Sequence, residues 1–353
     1  MSRKVVGLDV GTTAVRAAEL SLRKGAVVLE RFGQVALPPG AVVDGEVADP
    51  EVVAAALRDL WKRVRYGTKQ VVVGVANQRV VVRLTELPAM PEAELRDSLK
   101  YQVQEYIPIP VEEAELDFNI IDEYEDASGQ RVMRVLLVAA HKDMVAGLVR
   151  AIERAGLAPV GVDLTPFALL RALAPEGGEV YPEAGEALVD VGARVTNIVV
   201  HEAGIPRFIR ILLMGGHDVT EALGAGLQLD PERAELAKLE VAAGEIADPA
   251  AARIVEQKLD TFAEEVRGSL DFFRAQAGAV PVARVLVTGG GSRLNPLIER
   301  LQTALNLPVE SARVLEHVRL GRLGLRPEQL SELEPVAPIP VGLALGGCSR
   351  WRT

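Results

Sequence analysis

Two aspartates end short apolar runs, and each is followed two residues later by a glycine: Leu8-Asp9-Val10-Gly11 and Val189-Asp190-Val191-Gly192. A carboxylate at such a strand end suits Mg²⁺, which keeps several of its waters and is held through them. Asp9 and Asp190 are therefore the candidate metal residues. Gly11 and Gly192 allow a tight turn and a close backbone approach to an oxygen ligand. The N–H groups that follow can cup a phosphate, helped in the first loop by the hydroxyls of Thr12 and Thr13. Arg16 either compensates negative charge at this site or is an exposed strand residue. Arg194, in the second loop, either points to solvent or reaches the ligand.

A third segment, Val285–Pro296, runs from an apolar stretch into Gly289-Gly290-Gly291-Ser292 and then into a helical pattern. Three glycines at a strand–helix junction suit a flat or phosphorylated ligand near a helix N-terminus. The spacings Gly-x-Gly-x-x-Gly and Gly-x-x-x-x-Gly-Lys-Ser/Thr are absent there, which disfavours a dinucleotide site and a P-loop. On the helix expected at Thr261–Phe273, Glu264, Arg267 and Asp271 share a face. They form a solvated ion-pair stripe or contact a ribose and base.

The segments that must position these loops alternate between strand and helix patterns, the mark of an α/β architecture. Val5–Asp9, Val15–Leu20 and Ala26–Leu37 read as strands, and Val52–Val64 as an amphipathic helix. Val71–Ala76 and Val80–Leu84 read as strands about Asn77-Gln78. A helix at Glu92–Tyr106, strands at Leu116–Tyr124 and Arg131–Ala139, and a helix at Met144–Ala155 form a block at 85–155 that reads as a small inserted domain. Pro175–Gly185 reads as a hinge. Beyond it the opening pattern restarts: a strand ending in Asp190, a glycine turn, and strands at Thr196–His201 and Arg207–Leu213. This repeat predicts two similar lobes facing one cleft.

Composition narrows the function. The chain has 353 residues, 49 % of them apolar, and 39 basic against 49 acidic side chains give a formal charge of −10. A nucleic-acid wrapper would need a basic face, so no nucleic-acid partner is expected. Cys348 is the sole cysteine, and His141, His201, His217 and His317 show no ligand spacing, which leaves no thiolate or histidine metal site. No run approaches the roughly 18 apolar residues of a spanning helix, and the N-terminal pattern is not that of a signal peptide. A cytoplasmic protein is expected.

The three loops, in this order, resemble the actin/sugar-kinase/chaperone ATPase superfamily, with phosphate loops at Asp9–Arg16 and Asp190–Asn197 and an adenosine loop at Thr288–Pro296. The inserted block, with Leu-Pro-Ala-Met-Pro at 87–91 and Tyr-Ile-Pro-Ile-Pro at 106–110, resembles the type IV pilus assembly protein family PilM, a relative of the cell-division protein FtsA. The resemblance implies an actin-like ATPase fold with two duplicated lobes around a nucleotide cleft. Lobe 1 would comprise 1–84, 156–180 and 340–353, an FtsA-like 1C subdomain 85–155, and lobe 2 residues 186–339. Helices at Thr165–Leu173 and Pro340–Gly347 would connect the lobes, with Gly342, Ala344 and Gly346 allowing a close crossing.

It further implies ATP and Mg²⁺ as ligands and the cytoplasmic tail of the inner-membrane protein PilN as partner. That tail would lie in a groove beside the inserted subdomain. Tyr101, Tyr106 and Ile107 would belong to the subdomain core, or else line the groove. Other proteins of the pilus assembly platform are implied partners, with self-association left open. The protein would work at the inner face of the membrane, reaching it only through partners. A filament-forming membrane tether of FtsA type and a small-molecule kinase are the alternatives. Two departures bear on chemistry. Arg16 stands where the family commonly has Lys, and Thr165 where hydrolytic relatives carry Glu before the proline. Loss of a positioned base costs about 10²- to 10⁴-fold in rate, so nucleotide binding with weak turnover is expected.

Overall fold

The computed structural model describes residues 4–23, 26–104, 106–126, 128–174, 184–244, 248–276 and 278–349. The expected hinge lies outside the described residues as far as Glu183, as do Lys24, Gly25 and the segment Arg350–Thr353. In chain order the first part comprises β1 (Lys4–Val10), β2 (Ala14–Arg23), β3 (Ala26–Ala36), the short β4 (Val42–Val43) and β5 (Glu46–Val47), α1 (Pro50–Val64) and β6 (Gln70–Val75). Next come β7 (Val80–Pro88), α2 (Glu92–Gln102), β8 (Ala114–Glu125), β9 (Arg131–His141), α3 (Lys142–Arg154), β10 (Ala158–Leu164) and α4 (Thr165–Leu173). The second part comprises β11 (Gly185–Val191), β12 (Thr196–Glu202), β13 (Ile205–Leu212), α5 (Gly216–Leu227), α6 (Pro231–Ala242), α7 (Pro249–Arg274), β14 (Val282–Thr288), α8 (Leu297–Leu305) and β15 (Val309–Ser311). Last are β16 (Arg319–Leu320), α9 (Pro327–Leu333) and α10 (Pro338–Ser349).

Local chemistry explains the helices. At α1 the Asp49 carboxylate accepts the Glu51 and Val52 N–H groups, Pro50 occupies the first turn, and Val53, Leu57 and Leu60 are buried along one stripe. The helix ends where Arg65 turns left-handed at φ 57°. Each fully buried leucine contributes roughly 2–3 kcal/mol.

Two sheets carry the same topology. The first runs β10-β6-β1-β2-β3-β16 and the second β15-β14-β11-β12-β13. In each, a three-stranded antiparallel meander is extended by two parallel strands on the side of its first strand. The two sheets thus share strand order and direction, and the first carries β16 in addition. Between them lies a third core formed by α4, α10, Leu188 and Val199 of one sheet and Leu20 and Leu29 of the other. The helices α4 and α10 cross closely because Gly342 has no Cβ: one added there would overlap the Ala168 carbonyl oxygen.

The inserted sheet has the order β7-β9-β8, and α2 covers one face of it through Leu95 and Leu99 against Met133, Val135 and Leu137. Its limits differ from the expected 85–155. β7 begins at Val80 and runs unbroken to Pro88, pairing with β9, because nothing at residues 84–85 signals a turn. Asn77 and Gln78 therefore link two sheets. At the other end α3 packs Met144, Leu148, Ala151 and Ile152 into the lobe 1 core, so the subdomain closes at His141. Likewise β16, inside the span expected for lobe 2, pairs with β3 of lobe 1. Ile107 is buried in the subdomain core, whereas Tyr101 is 84 % exposed and Tyr106 41 %.

Candidate nucleotide-binding site

A cavity of about 350 Å³ opens between the lobes, within the range of small-molecule sites. Asp9, Gly11, Thr12, Thr13 and Arg16 line one wall, and Asp190, Gly192 and Asn197 the other. Each aspartate is the last polar residue of a strand, and the turn after it closes the same way. The Gly11 N–H donates to Ala14 O at 3.1 Å and the Gly192 N–H to Val195 O at 3.0 Å. The cross-strand partner of Asp9 is Arg16 and that of Asp190 is Asn197. Arg16 Nη1 lies 3.4 Å from Asp9 Oδ2, while its Nε is buried without a partner. Asn197 Nδ2 donates to Asp190 Oδ2 at 3.1 Å, and Asn197 Oδ1 is buried and unpartnered.

The electrostatics follow from burial. Burial pushes the Asp9 carboxyl above its usual range, against the pull of the Arg16 charge and hydrogen bond. Burial pushes Asp190 up to about 6; the Asn197 hydrogen bond opposes this and the negative charge of Asp9 adds to it. A carboxylate whose proton affinity is raised by a second carboxylate across a cleft is suited to share a cation with it.

The third glycine loop lies at the same cavity through Gly289, Gly290 and Gly291. Gly289 has φ +89°, and a side chain there would run into the Val191 backbone, so the loop is pressed against the strand that carries Asp190. Ser292 is not part of the lining; its hydroxyl donates to Gly289 O at 2.7 Å and closes the turn. Glu264 and Arg267 also lie outside the lining. They pair with each other, about half exposed, so the solvated stripe is what α7 presents there. Arg194 is likewise engaged, with Glu221 of α5.

Sequence reasoning gave no site residue between Leu213 and Thr261, yet α5 and α6 supply the cavity wall that faces the glycine loop. Glu235 and Lys238 line it together with Leu239 and Ala242. Lys238 Nζ donates to Glu235 Oε2 at 2.7 Å and to Thr220 Oγ1 at 2.9 Å. Burial works to raise the Glu235 pKa, but the Lys238 and Thr220 hydrogen bonds outweigh it and lower it. The available signal was Asp230-Pro231, a helix start in which the Asp230 side chain accepts the Arg233 N–H, followed by a Glu–Lys pair three residues apart.

Thr165, the first residue of α4, is 7 % exposed and lines the cavity. Asp163 does not. It is ion-paired with Arg171, which also bonds Gly342 O. Among the described residues no cluster of three or more His, Cys, Asp or Glu side chains is arranged to hold a metal directly; Asp9 and Asp190 face the cavity from opposite lobes, and Glu235, engaged with Lys238, lines it on α6.

Comparison with known proteins places this geometry. The family described as Type IV pilus assembly protein PilM matches residues 7–348. Cell division protein FtsA of Streptococcus pneumoniae is 25 % identical over 346 residues, covering 86 % of this chain and 74 % of that protein. FtsA of Bacillus subtilis is 22 % identical over 254 residues, which is 66 % of this chain and 57 % of that one. A solved PilM-PilN type IV pilus biogenesis complex is 29 % identical, with a TM-score of 0.85 over 97 % of this chain and 98 % of its counterpart. The ethanolamine utilization protein EutJ from Carboxydothermus hydrogenoformans, 17 % identical with a TM-score of 0.56 over 97 % of this chain and 89 % of that one, shares the fold. The fold is actin-like, and the chain belongs to the type IV pilus assembly protein PilM family.

Proposed function

We propose that this chain binds magnesium ATP between its lobes and serves as a scaffold of type IV pilus assembly that takes the cytoplasmic tail of PilN. The nucleotide reading is carried by the convergence of Asp9, Asp190 and Gly289–Gly291 on one cavity. Mg²⁺ fits the donor set: the negative charge of Asp9 raises the proton affinity of Asp190, and a dication between them relieves that repulsion. When bound, the ion neutralises phosphate charge. Arg16 and the N–H groups after Gly11 and Gly192 then hold the phosphates. Glu235 and Lys238 are placed for ribose hydroxyls, and Leu239, Ala242 and Leu294 for the base.

Turnover is weak in this reading. Thr165 has no carboxylate to orient an attacking water, and Asp163 is held by Arg171. Thr165→Glu should raise steady-state ATP hydrolysis at least tenfold; brisk hydrolysis by the unaltered chain would contradict the reading.

The partner reading rests on family membership and on the similarity to the solved PilM-PilN complex. A second groove of about 330 Å³ lies beside the inserted sheet, between Asp117–Asn119 of β8, Phe167 and Leu170 of α4, and the Gly204–Pro206 turn. Its mixed apolar and polar walls suit an extended peptide. Among the described residues no helix is long and apolar enough to cross a membrane, so the partner would bring the scaffold to the inner face of the membrane. Calorimetric titration tests both parts. MgATP should bind one per chain and lose affinity in EDTA, and a synthetic peptide copying the PilN tail should bind the full chain. Absence of either heat overturns the corresponding half.

A further inference from the structure

The inserted subdomain is covalently part of lobe 1, yet it also touches lobe 2. β13 lies against β7. Arg207, on β13, holds Glu202 of its own hairpin at 2.8 Å and reaches Asp122 on β8 at 3.5 Å. Asp122 follows a register shift in β8 between Ile120 and Asp122, the kind of bulge that re-aims a side chain. Its Oδ2 also lies 3.3 Å from Arg134 Nη1, and Arg134 Nη2 lies 3.4 Å from Glu86. A row of alternating charges thus crosses all three strands of the inserted sheet and ends on lobe 2. Asp122 Oδ1 is buried without a partner.

The strand and the hairpin that carry this bridge also wall the proposed peptide groove. Gly204 and Pro206 belong to the hairpin that carries Arg207, and Asp117–Asn119 to the strand that carries Asp122. Along a strand, Asn119 and Asp122 are separated by about 10 Å. β13 is also hydrogen-bonded through β12 to β11, the strand that carries Asp190. A ligand that draws Asp190 toward Asp9 therefore moves Arg207 with it as part of one sheet.

We propose that the Arg207–Asp122 ion pair is the contact through which nucleotide in the cleft sets the width of the peptide groove. The inference rests on the reading that the cleft takes MgATP and the groove takes the PilN tail. Nucleotide favours the state in which the pair is made; without it the pair opens and the groove walls separate. A contact that differs between two states can shift ligand affinity by about fivefold, and the effect is reciprocal.

The test is calorimetry on the full chain. The affinity of the PilN-tail peptide is measured with and without saturating MgATP in the unaltered chain, Arg207→Gln, Asp122→Asn, the double variant, and the remote control Arg313→Gln, with thermal melts to confirm folding. The unaltered chain and the control should show about a fivefold change in peptide affinity on adding MgATP. Each single variant and the double variant should show less than about a twofold change, with no added loss in the double. Variants that keep the full ratio overturn the inference while leaving both binding sites standing, as does an unaltered chain that binds both ligands without mutual effect. An unaltered chain that binds neither ligand overturns the reading beneath it and this inference with it.

Discussion

In lobe 1 the strand residue opposite Asp9 is Arg16; in lobe 2 the residue opposite Asp190 is Asn197. The turns otherwise match: aspartate at the strand end, glycine two residues on, and a glycine N–H closing onto the carbonyl three residues later. The guanidinium offsets part of the cost of burying Asp9. The Asn197 amide gives Asp190 one hydrogen bond and no charge, and the Asp190 pKa rises to about 6. Two matching hairpins thus make unlike half-sites: Asp9 is paired with a cation of its own lobe and Asp190 with a neutral amide.

The comparison breaks most visibly if Asp190 is neutralised. Asp190→Asn should weaken MgATP binding by about 10- to 100-fold, as loss of an outer-shell metal partner does; calorimetry in Mg²⁺ and in EDTA reads it. The same change should stabilise the ligand-free protein. Folding raises the Asp190 pKa from 3.8 to about 6, so the folded state holds the proton more tightly. The stability this confers is complete below the unfolded value and is lost as pH rises through about 6. An asparagine there avoids that loss and can donate to the unpartnered Asn197 Oδ1. Denaturant melts should show a gain on the order of 2 kcal/mol at about pH 7.5, vanishing near pH 4.

Arg16→Asn sharpens the comparison by making lobe 1 a copy of lobe 2. It leaves Asp9 uncompensated and should cost about 1 kcal/mol of stability at neutral pH, with MgATP affinity reduced roughly tenfold. The smallest effect is expected on α7. Glu264→Ala and Arg267→Ala remove an exposed pair worth about 0.3–0.5 kcal/mol, and nucleotide affinity should change by less than about twofold. A larger loss would return α7 to the site.

Much of this was legible because glycine and aspartate carry their reasons locally. The two Asp-x-Gly turns, the triple-glycine loop and the small residues of α10 each state a backbone requirement that a single sequence reveals. Elements whose role depends on what packs against them were less legible. Val80–Leu84 has a strand pattern that fits either sheet, and only the pairing with β9 assigns it. The stripe of α3 reads as amphipathic in any context, so its place in the lobe 1 core could not be told from the inserted domain. Glu264 and Arg267 share a helix face with no sign of which way it points. Glu235 and Lys238, which do line the cavity, sit on a helix with one fully buried residue, Ala234, and so gave almost no apolar signal.

The most direct test is a crystal structure grown with Mn²⁺ and a non-hydrolysable ATP analogue, with anomalous scattering locating the metal. An anomalous peak between Asp9 and Asp190, with phosphates over the N–H groups after Gly11 and Gly192, is the predicted result. A metal site elsewhere, or a nucleotide bound away from Gly289–Gly291, would contradict the account.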